Sequence, residues 1–202
     1  MKTNPPPSQT LILLCILLLS CLITHCTSCS PTSPRTKHHT SKYIRVSCRQ
    51  TLYPKLCQKS LAKYAAEIKT SPKLLATTAL LVTFNATRST SKKLRKLSVN
   101  RALKLKPGEI QALLECVEEV SDSVYELRKS IKELNDSRKG PEFELRMSDV
   151  QTWVSAALTD DDTCMDDFTT RGRVKVLVRR LVVRIARLTS IALAFINNYA
   201  AV

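Results

Sequence analysis

The chain has 202 residues, 44% of them hydrophobic, and a formal net charge of +15. That length holds one domain with a proper core and is too short for two comfortable ones. Only 3 Gly are present, so glycine-lined ligand loops must be few, and the charge makes a polyanion or an acidic surface patch the natural neighbour.

Residues 1–28 have the layout of a secretory signal peptide. Met1 to Thr10 carries Lys2 and no acid, Leu11 to Ile23 is apolar, and Thr24, Cys26, Thr27 and Ser28 follow. The apolar run is too short to span a bilayer comfortably. No later stretch has membrane length, because the last helix is broken up by Arg. Cleavage is expected near Cys26 to Ser28, which makes the mature protein secreted and extracellular.

Export gives the cysteines their meaning. Cys15 and Cys21 leave with the signal. Cys26 and Cys29 form a C-x-x-C pair at the cleavage region with no βαβ pattern nearby, which argues against a redox motif. Cys48, Cys57, Cys116 and Cys164 read as two disulfides, and spacing alone allows three connectivities. The only histidines, His25, His38 and His39, precede the domain, so neither a zinc site nor a histidine-based active site is expected within it.

Residues 29–42 are rich in Ser, Thr, Pro and basic residues and read as a flexible basic leader, with the folded domain covering 43–202. Tyr43 to Thr51 and Lys55 to Lys69 are two short helices hinged at Tyr53-Pro54, a hairpin that Cys48 and Cys57 would staple. Four long helices follow. The first has Ser71 as N-cap and Pro72 at its first position and runs towards Leu105 through Leu75, Ala79, Val82, Ala86, Leu94 and Leu97. The second, from Pro107 to about Asn135, repeats Ile110, Leu113, Leu114, Val117, Val120, Val124, Leu127, Ile131 and Leu134 at steps of 3 and 4. A capping box over Ser148 to Gln151 opens the third, with the acidic stretch Thr159 to Asp167 interrupting or continuing it. The fourth runs from about Thr170 to Ala200 on Val174, Leu177, Val178, Leu181, Ile185, Leu188, Ala192, Phe195 and Tyr199. Short loops make this an all-α, up-down-up-down four-helix bundle behind a helical hairpin.

Three clusters could carry function. The carboxylates Asp160, Asp161, Asp162, Asp166 and Asp167 lack the spacing and turn glycine of a calcium loop and read as a solvated, helix-capping patch. Arg171, Arg173, Lys175, Arg179, Arg180, Arg184 and Arg187 flank the fourth helix. They are either a solvated face or a polyanion site centred on Arg179, Arg180 and Arg184; membrane binding is less favoured, because bundle packing uses up the apolar face. Asn85-Ala86-Thr87 and Asn135-Asp136-Ser137 are glycosylation sequons; Asn135 is the better acceptor, because Asn85 is mid-helix. Trp153 is expected in packing rather than in sugar stacking. With no G-x-S-x-G elbow, phosphate loop or triad, the chain reads as a non-enzyme without cofactor.

The stretch Val150-Gln151-Thr152-Trp153-Val154-Ser155-Ala156-Ala157-Leu158-Thr159, continued by Thr163-Cys164, Asp166 and Phe168, resembles the plant invertase and pectin methylesterase inhibitor family, in its methylesterase-inhibitor branch. Cys48 with Thr51-Leu52-Tyr53-Pro54 and Cys57 is similar to the family's opening. Ala112-Leu113-Leu114-Glu115-Cys116 followed by Tyr125, and the ending Leu188-Thr189-Ser190-Ile191-Ala192-Leu193-Ala194, are similar too, although Ile191 stands where the family usually has Asn. The resemblance covers about residues 43–200. It implies the pairs Cys48–Cys57 and Cys116–Cys164. It also implies a stoichiometric complex in which the second and third bundle helices cover a pectin methylesterase's cleft, with contacts mapping onto Glu118, Asp122, Thr163 and Asp166. Acidic pectin is a second expected partner, and the chain is expected to be monomeric before complex formation. Inhibition of an acid invertase is the alternative, and a pectin-anchored structural protein is an alternative of another class.

Overall fold

The computed structural model describes residues 34–166, 168 and 172–201, with side chains from His39 onward. The N-terminal apolar segment, His25, Cys26, Cys29, Asp167, Thr170 and Arg171 lie outside these residues, as does the side chain of His38.

Helix α1, Pro34–Arg49, starts well ahead of Tyr43, so residues 34–42 are helical although their composition suggested a leader. Pro34 opens the first turn, where its missing N–H costs nothing. Thr40, Ile44 and Cys48 then recur every fourth residue and are buried, which gives the segment a face to pack. Helix α2, Pro54–Leu61, begins at Pro54. A 3-10 turn at Ala62–Tyr64 and the short α3, Ala65–Ile68, complete the arm. A disulfide joins Cys48 to Cys57, with Cα atoms 5.6 Å apart.

The four long helices are α4 (Pro72–Ser98), α5 (Pro107–Asp136), α6 (Phe143–Asp166) and α7 (Arg173–Ala200). The Ser71 hydroxyl caps α4 by accepting from Leu74 N–H at 3.3 Å. Glu109 does the same for α5 by accepting from Lys106 N–H at 3.0 Å. α4 does not continue towards Leu105: it stops at Ser98, and Asn100 caps a separate 3-10 turn, Arg101–Leu103, by accepting from Ala102 N–H. The expected capping box at Ser148 is not a helix start. α6 begins at Phe143, and Ser148 lies inside it, its carbonyl accepting from the Thr152 hydroxyl at 2.9 Å. The reason is burial: Phe143, Met147, Val150, Val154, Ala157, Asp161 and Cys164 form one buried stripe at alternating steps of 4 and 3. The acidic stretch continues this helix to Asp166 instead of breaking it.

Each long helix packs on its chain neighbours, and α4 closes the square against α7. Lys73 ties the start of α4 to the end of α5 by donating to the carbonyls of Asn135 and Ser137. Phe143 and Tyr199 meet edge to face at 5.5 Å, which fixes α6 and α7 at that same end. Among the described residues no strand occurs. Ile191 is buried, so an apolar residue suits the position where the family has Asn. Leu177, expected on the packed stripe, is instead exposed; Val174, Val178, Val182 and Ile185 carry the inward face there.

The apolar core is divided. One cluster holds the hairpin, Leu127, Met147 and Phe195; the other surrounds Cys116, Cys164, Val120 and Val178. Between them lies a buried polar layer contributed by all four long helices. Thr83 on α4 donates within reach of the carbonyls of Ala79 (2.9 Å) and of Leu188 on α7 (3.1 Å). Asp161 on α6 lies 3.0 Å from the Ser123 hydroxyl of α5 and 3.2 Å from the Thr189 hydroxyl of α7. Each hydroxyl has one proton and a second acceptor, the carbonyls of Ala157 and Ile185 respectively. A protonated Asp161 supplies one of the two missing donors, so three protons serve these four contacts. Its side chain is fully buried. Burial drives its pKa up to about 8, against the hydrogen bonds from Ser123 and Thr189 and with further upward pushes from Asp160 and Asp162. The surface-patch reading therefore fails for Asp161.

This makes stability depend on pH. Below the ordinary value of 3.8 the folded and unfolded chains both hold the proton. From there up to about 8 only the folded chain holds it, so each pH unit weakens folding about tenfold through this group. Asp161→Asn, which keeps the neutral shape, should match the wild type near pH 4 and melt above it at pH 8. Thermal melts across that range test this; an unchanged difference between pH 6 and 8 would mean that Asp161 does not titrate there.

Candidate functional site

The α5–α6 face is the candidate site, and helical spacing assembles it. On α5, Glu118, Asp122, Tyr125 and Lys129 follow at steps of 4, 3 and 4, so they line one side of the helix; the first three are exposed. On α6, Trp153, Ala156, Asp160 and Thr163 make the facing half-buried row. The Cys116–Cys164 disulfide spans a sequence separation of 48 and pins the two helices beside this face. In the chain-entropy model a loop that long removes about 4 kcal/mol of unfolded-state freedom, against about 3 kcal/mol for the hairpin bridge.

The face has two parts. Towards its middle, Lys129 Nζ lies 4.3 Å from the Trp153 ring centroid and 5.2 Å from that of Tyr125, and 3.4 Å from Glu126 Oε2. An exposed Tyr and a half-buried Trp gathered around one cation are the side-chain types that anchor protein interfaces. Nearer the bridge the charge is negative. Asp160 is desolvated and sits close to Glu119, Asp122 and Glu126; these causes, in that order, push its pKa up to about 6. Its Oδ2 is buried without a hydrogen-bond partner among the described residues. Asp166 adds an exposed carboxylate at the C-terminal end of α6, where the helix dipole disfavours negative charge. The face thus crowds its carboxylates together: Lys129 pairs with Glu126, and the repulsion from the others falls on Asp160.

The four expected contact residues are placed unequally: Glu118 and Asp122 on the α5 row, Thr163 on the α6 row and Asp166 at the C-terminal end of α6. Glu118, Asp122 and Asp166 are exposed. Thr163 is half-buried and its hydroxyl donates back to the Thr159 carbonyl at 3.0 Å, so it has no proton to offer a partner. Sequence reasoning did not single out Glu119 or Glu126, and it read Asp160, which is half-buried, as part of a solvated patch. The available signal was spacing: Asp160 precedes Cys164 by one turn, and Glu119 and Glu126 are two turns apart on the same helix. Trp153, expected in core or groove packing, is half-buried beneath Lys129.

The other expected residues lie elsewhere. Arg179, Arg180 and Arg184 are exposed on α7, across the bundle from α5. Asn85 is exposed on α4, and Asn135 is exposed at the end of α5. The third residues of both sequons, Thr87 and Ser137, are buried and hydrogen-bonded to the carbonyls of Thr83 and Leu134. Among the described residues no three His, Cys, Asp or Glu side chains are grouped to hold a metal ion.

A family model described as plant invertase/pectin methylesterase inhibitor matches residues 42–195. The chain is 49% identical over 161 residues to Pectinesterase inhibitor 10 of Arabidopsis thaliana, covering 78% of this chain and 51% of that protein. It is 42% identical over 198 residues to Pectinesterase inhibitor 11 of the same plant, covering 95% and 97% respectively. In structure it is similar to a crystallised mutant form of a pectin methylesterase inhibitor from Arabidopsis, with a TM-score of 0.61 at 27% identity, covering 74% of this chain and 92% of that one.

The crowded carboxylates should be felt in stability. Asp160 is held above its ordinary value of 3.8, so its cost grows as pH rises towards about 6 and is absent in strong acid. Asp160→Asn should raise the urea midpoint at pH 7 and leave it unchanged near pH 3. An equal gain at both pH values would show that packing, not charge, was relieved.

Proposed function

The chain belongs to the plant invertase/pectin methylesterase inhibitor family, and we propose that it inhibits a plant pectinesterase by laying the α5–α6 face over the enzyme's pectin-binding cleft. One observation carries the choice of face: the exposed Tyr125 and half-buried Trp153 border a crowded carboxylate cluster that holds Asp160 well above its ordinary pKa. A partner rimmed with Lys or Arg would relieve that crowding. Glu118, Asp122 and Asp166 reach it through charge, Thr163 through its surface, and Tyr125 through area. The relatives reported above are named for pectinesterase, which favours that target over an acid invertase.

Such an inhibitor works by exclusion. The complex is stoichiometric, the polymer cannot enter the covered cleft, and the extent of pectin methylesterification changes as a result. No residue of the inhibitor is asked to do chemistry. We place the protein in the apoplast, exported by its residues 1–28, monomeric before it meets the enzyme, and glycosylated at Asn135 rather than at Asn85, which lines a depression beside Lys63 and Arg184. No helix among the described residues is long and apolar enough to cross a membrane.

Titrating a purified plant pectinesterase with the protein should give an equimolar end point. The absence of inhibition of any pectinesterase between pH 5 and 7, with invertase inhibited instead, would transfer the target. Glu118→Lys with Asp166→Lys should weaken inhibition at least about tenfold, the equivalent of one strong contact. Replacing Cys116 and Cys164 by Ser should cost more inhibition than replacing Cys48 and Cys57, because the first pair holds the contact face. Equal losses would assign the disulfides to general stability alone.

A further inference from the structure

We propose that a groove between the N-terminal hairpin and α7 binds a de-esterified galacturonan chain, the anionic product that a pectinesterase leaves behind. Two adjoining depressions, about 690 and 500 Å³, share Leu56 and Arg184. Lys59 and Lys63 stand on one bank, and Arg179, Arg180, Arg184 and Arg187 on the other. All six are exposed.

The charge here is one-signed by construction. The elements that line the groove are α2, the Ala62–Tyr64 turn, α4 and α7, and none of them contains Asp or Glu. Among the described residues no carboxylate pairs with the six cations. Lys63 and Arg187 lie over the rings of Tyr64 and Tyr53 instead, at 4.8 and 5.2 Å. Six uncompensated positive charges repel one another at some cost in stability, which an anion would offset.

The geometry selects the kind of anion. Arg180, Arg184 and Arg187 recur once per helical turn, an interval of about 5.4 Å. A row of evenly spaced guanidinium groups suits a polymer with evenly spaced carboxylates, each of which can take a forked pair of hydrogen bonds. Leu56, Val176 and Val183 lie between the cations and offer apolar surface to the C–H faces of sugar rings. A methyl ester removes the charge that the groove reads, so substrate and product are told apart. An anionic membrane fits less well, because the surface is concave and α7 spends its apolar stripe on the core. Because α4 and α7 form the side of the square opposite α5 and α6, a chain held there leaves the acidic face free. The inhibitor would then accumulate where the esterase has already acted, with its effective concentration raised by the tether.

The identity of the ligand rests on the pectinesterase reading, so the test separates the two. The full mature chain is measured for binding to polygalacturonate, to highly methylesterified pectin and to phosphatidylserine vesicles, at low and at physiological salt. Wild type should prefer polygalacturonate at least tenfold over the ester, with weakening by salt. Lys63→Gln with Arg180→Gln and Arg184→Gln should lower that affinity at least tenfold. Lys92→Gln with Lys93→Gln and Lys96→Gln, which removes the same charge from exposed positions of α4, should lower it less than threefold. Equal losses in the two variants would overturn the site in favour of net charge, and binding to vesicles but not to polygalacturonate would overturn the ligand. Complex formation with a purified pectinesterase, measured without pectin by size exclusion, should be the same for both variants. A wild type that binds polygalacturonate through the groove but no esterase would leave the groove standing and refute the inhibitor reading.

Discussion

Four helices of 24 to 30 residues cannot hide their apolar stripes alone, and mutual burial of those stripes is the constraint from which the rest of this molecule follows. The stripes run at steps of 3 and 4 on every long helix, so each helix has one inward side and a wide outward side left for other uses. Two disulfides add to this packing without replacing it. One closes the hairpin that covers an end of the bundle; the other lies inside the second apolar cluster, beside Val120 and Val178. The outward faces can then differ in chemistry without disturbing the core.

The difference is mainly one of charge. Apart from Glu67, Glu142 and Asp167, every acid of the chain lies on α5 or α6, and α4 and α7 carry none. Because the helices form a square, this distribution along the sequence becomes a separation across the bundle. A protein of high positive charge can therefore present an acidic side to its surroundings, since the field near each face is set by the residues of that face within a screening length of about 8 to 10 Å. Net charge alone would have hidden that side.

Much of this was legible in the residues. The α5 boundaries, the Ser71-Pro72 start of α4 and the bundle class follow from periodicity and capping chemistry, which are local. The start of α6 was not, because Ser148 to Gln151 satisfies the pattern of a capping box although the helix already exists; only the burial of Phe143 and Met147 reveals the earlier turn. The helical character of residues 34–42 was hidden for a similar reason. Their composition is polar, and the buried side rests on Thr40, Ile44 and Cys48, three positions in a largely hydrophilic run. In the acidic stretch Thr159 to Asp167, composition could not distinguish neighbours whose environments are opposite: Asp161 is fully buried and Asp162 is exposed. Heptad phase could have done so, because Asp161 falls on the stripe of Val154, Ala157 and Cys164.

The polar layer at mid-bundle also limits which bundles the chain can form. Four similar amphipathic helices could associate with one helix slid along its neighbour, or with the square wound in the opposite sense, and bury nearly the same apolar area. Only one alignment places Ser123, Asp161 and Thr189 within hydrogen-bond reach at a single height. A slip of one turn moves a side chain about 5.4 Å, which strands the Asp161 carboxyl among methyl groups without either hydroxyl, a penalty of at least about 1–3 kcal/mol. The layer thus acts as an index mark for assembly. Exchanging these three residues for well-packed apolar ones would remove the mark while keeping the grease, and the chain would gain ways of being almost folded.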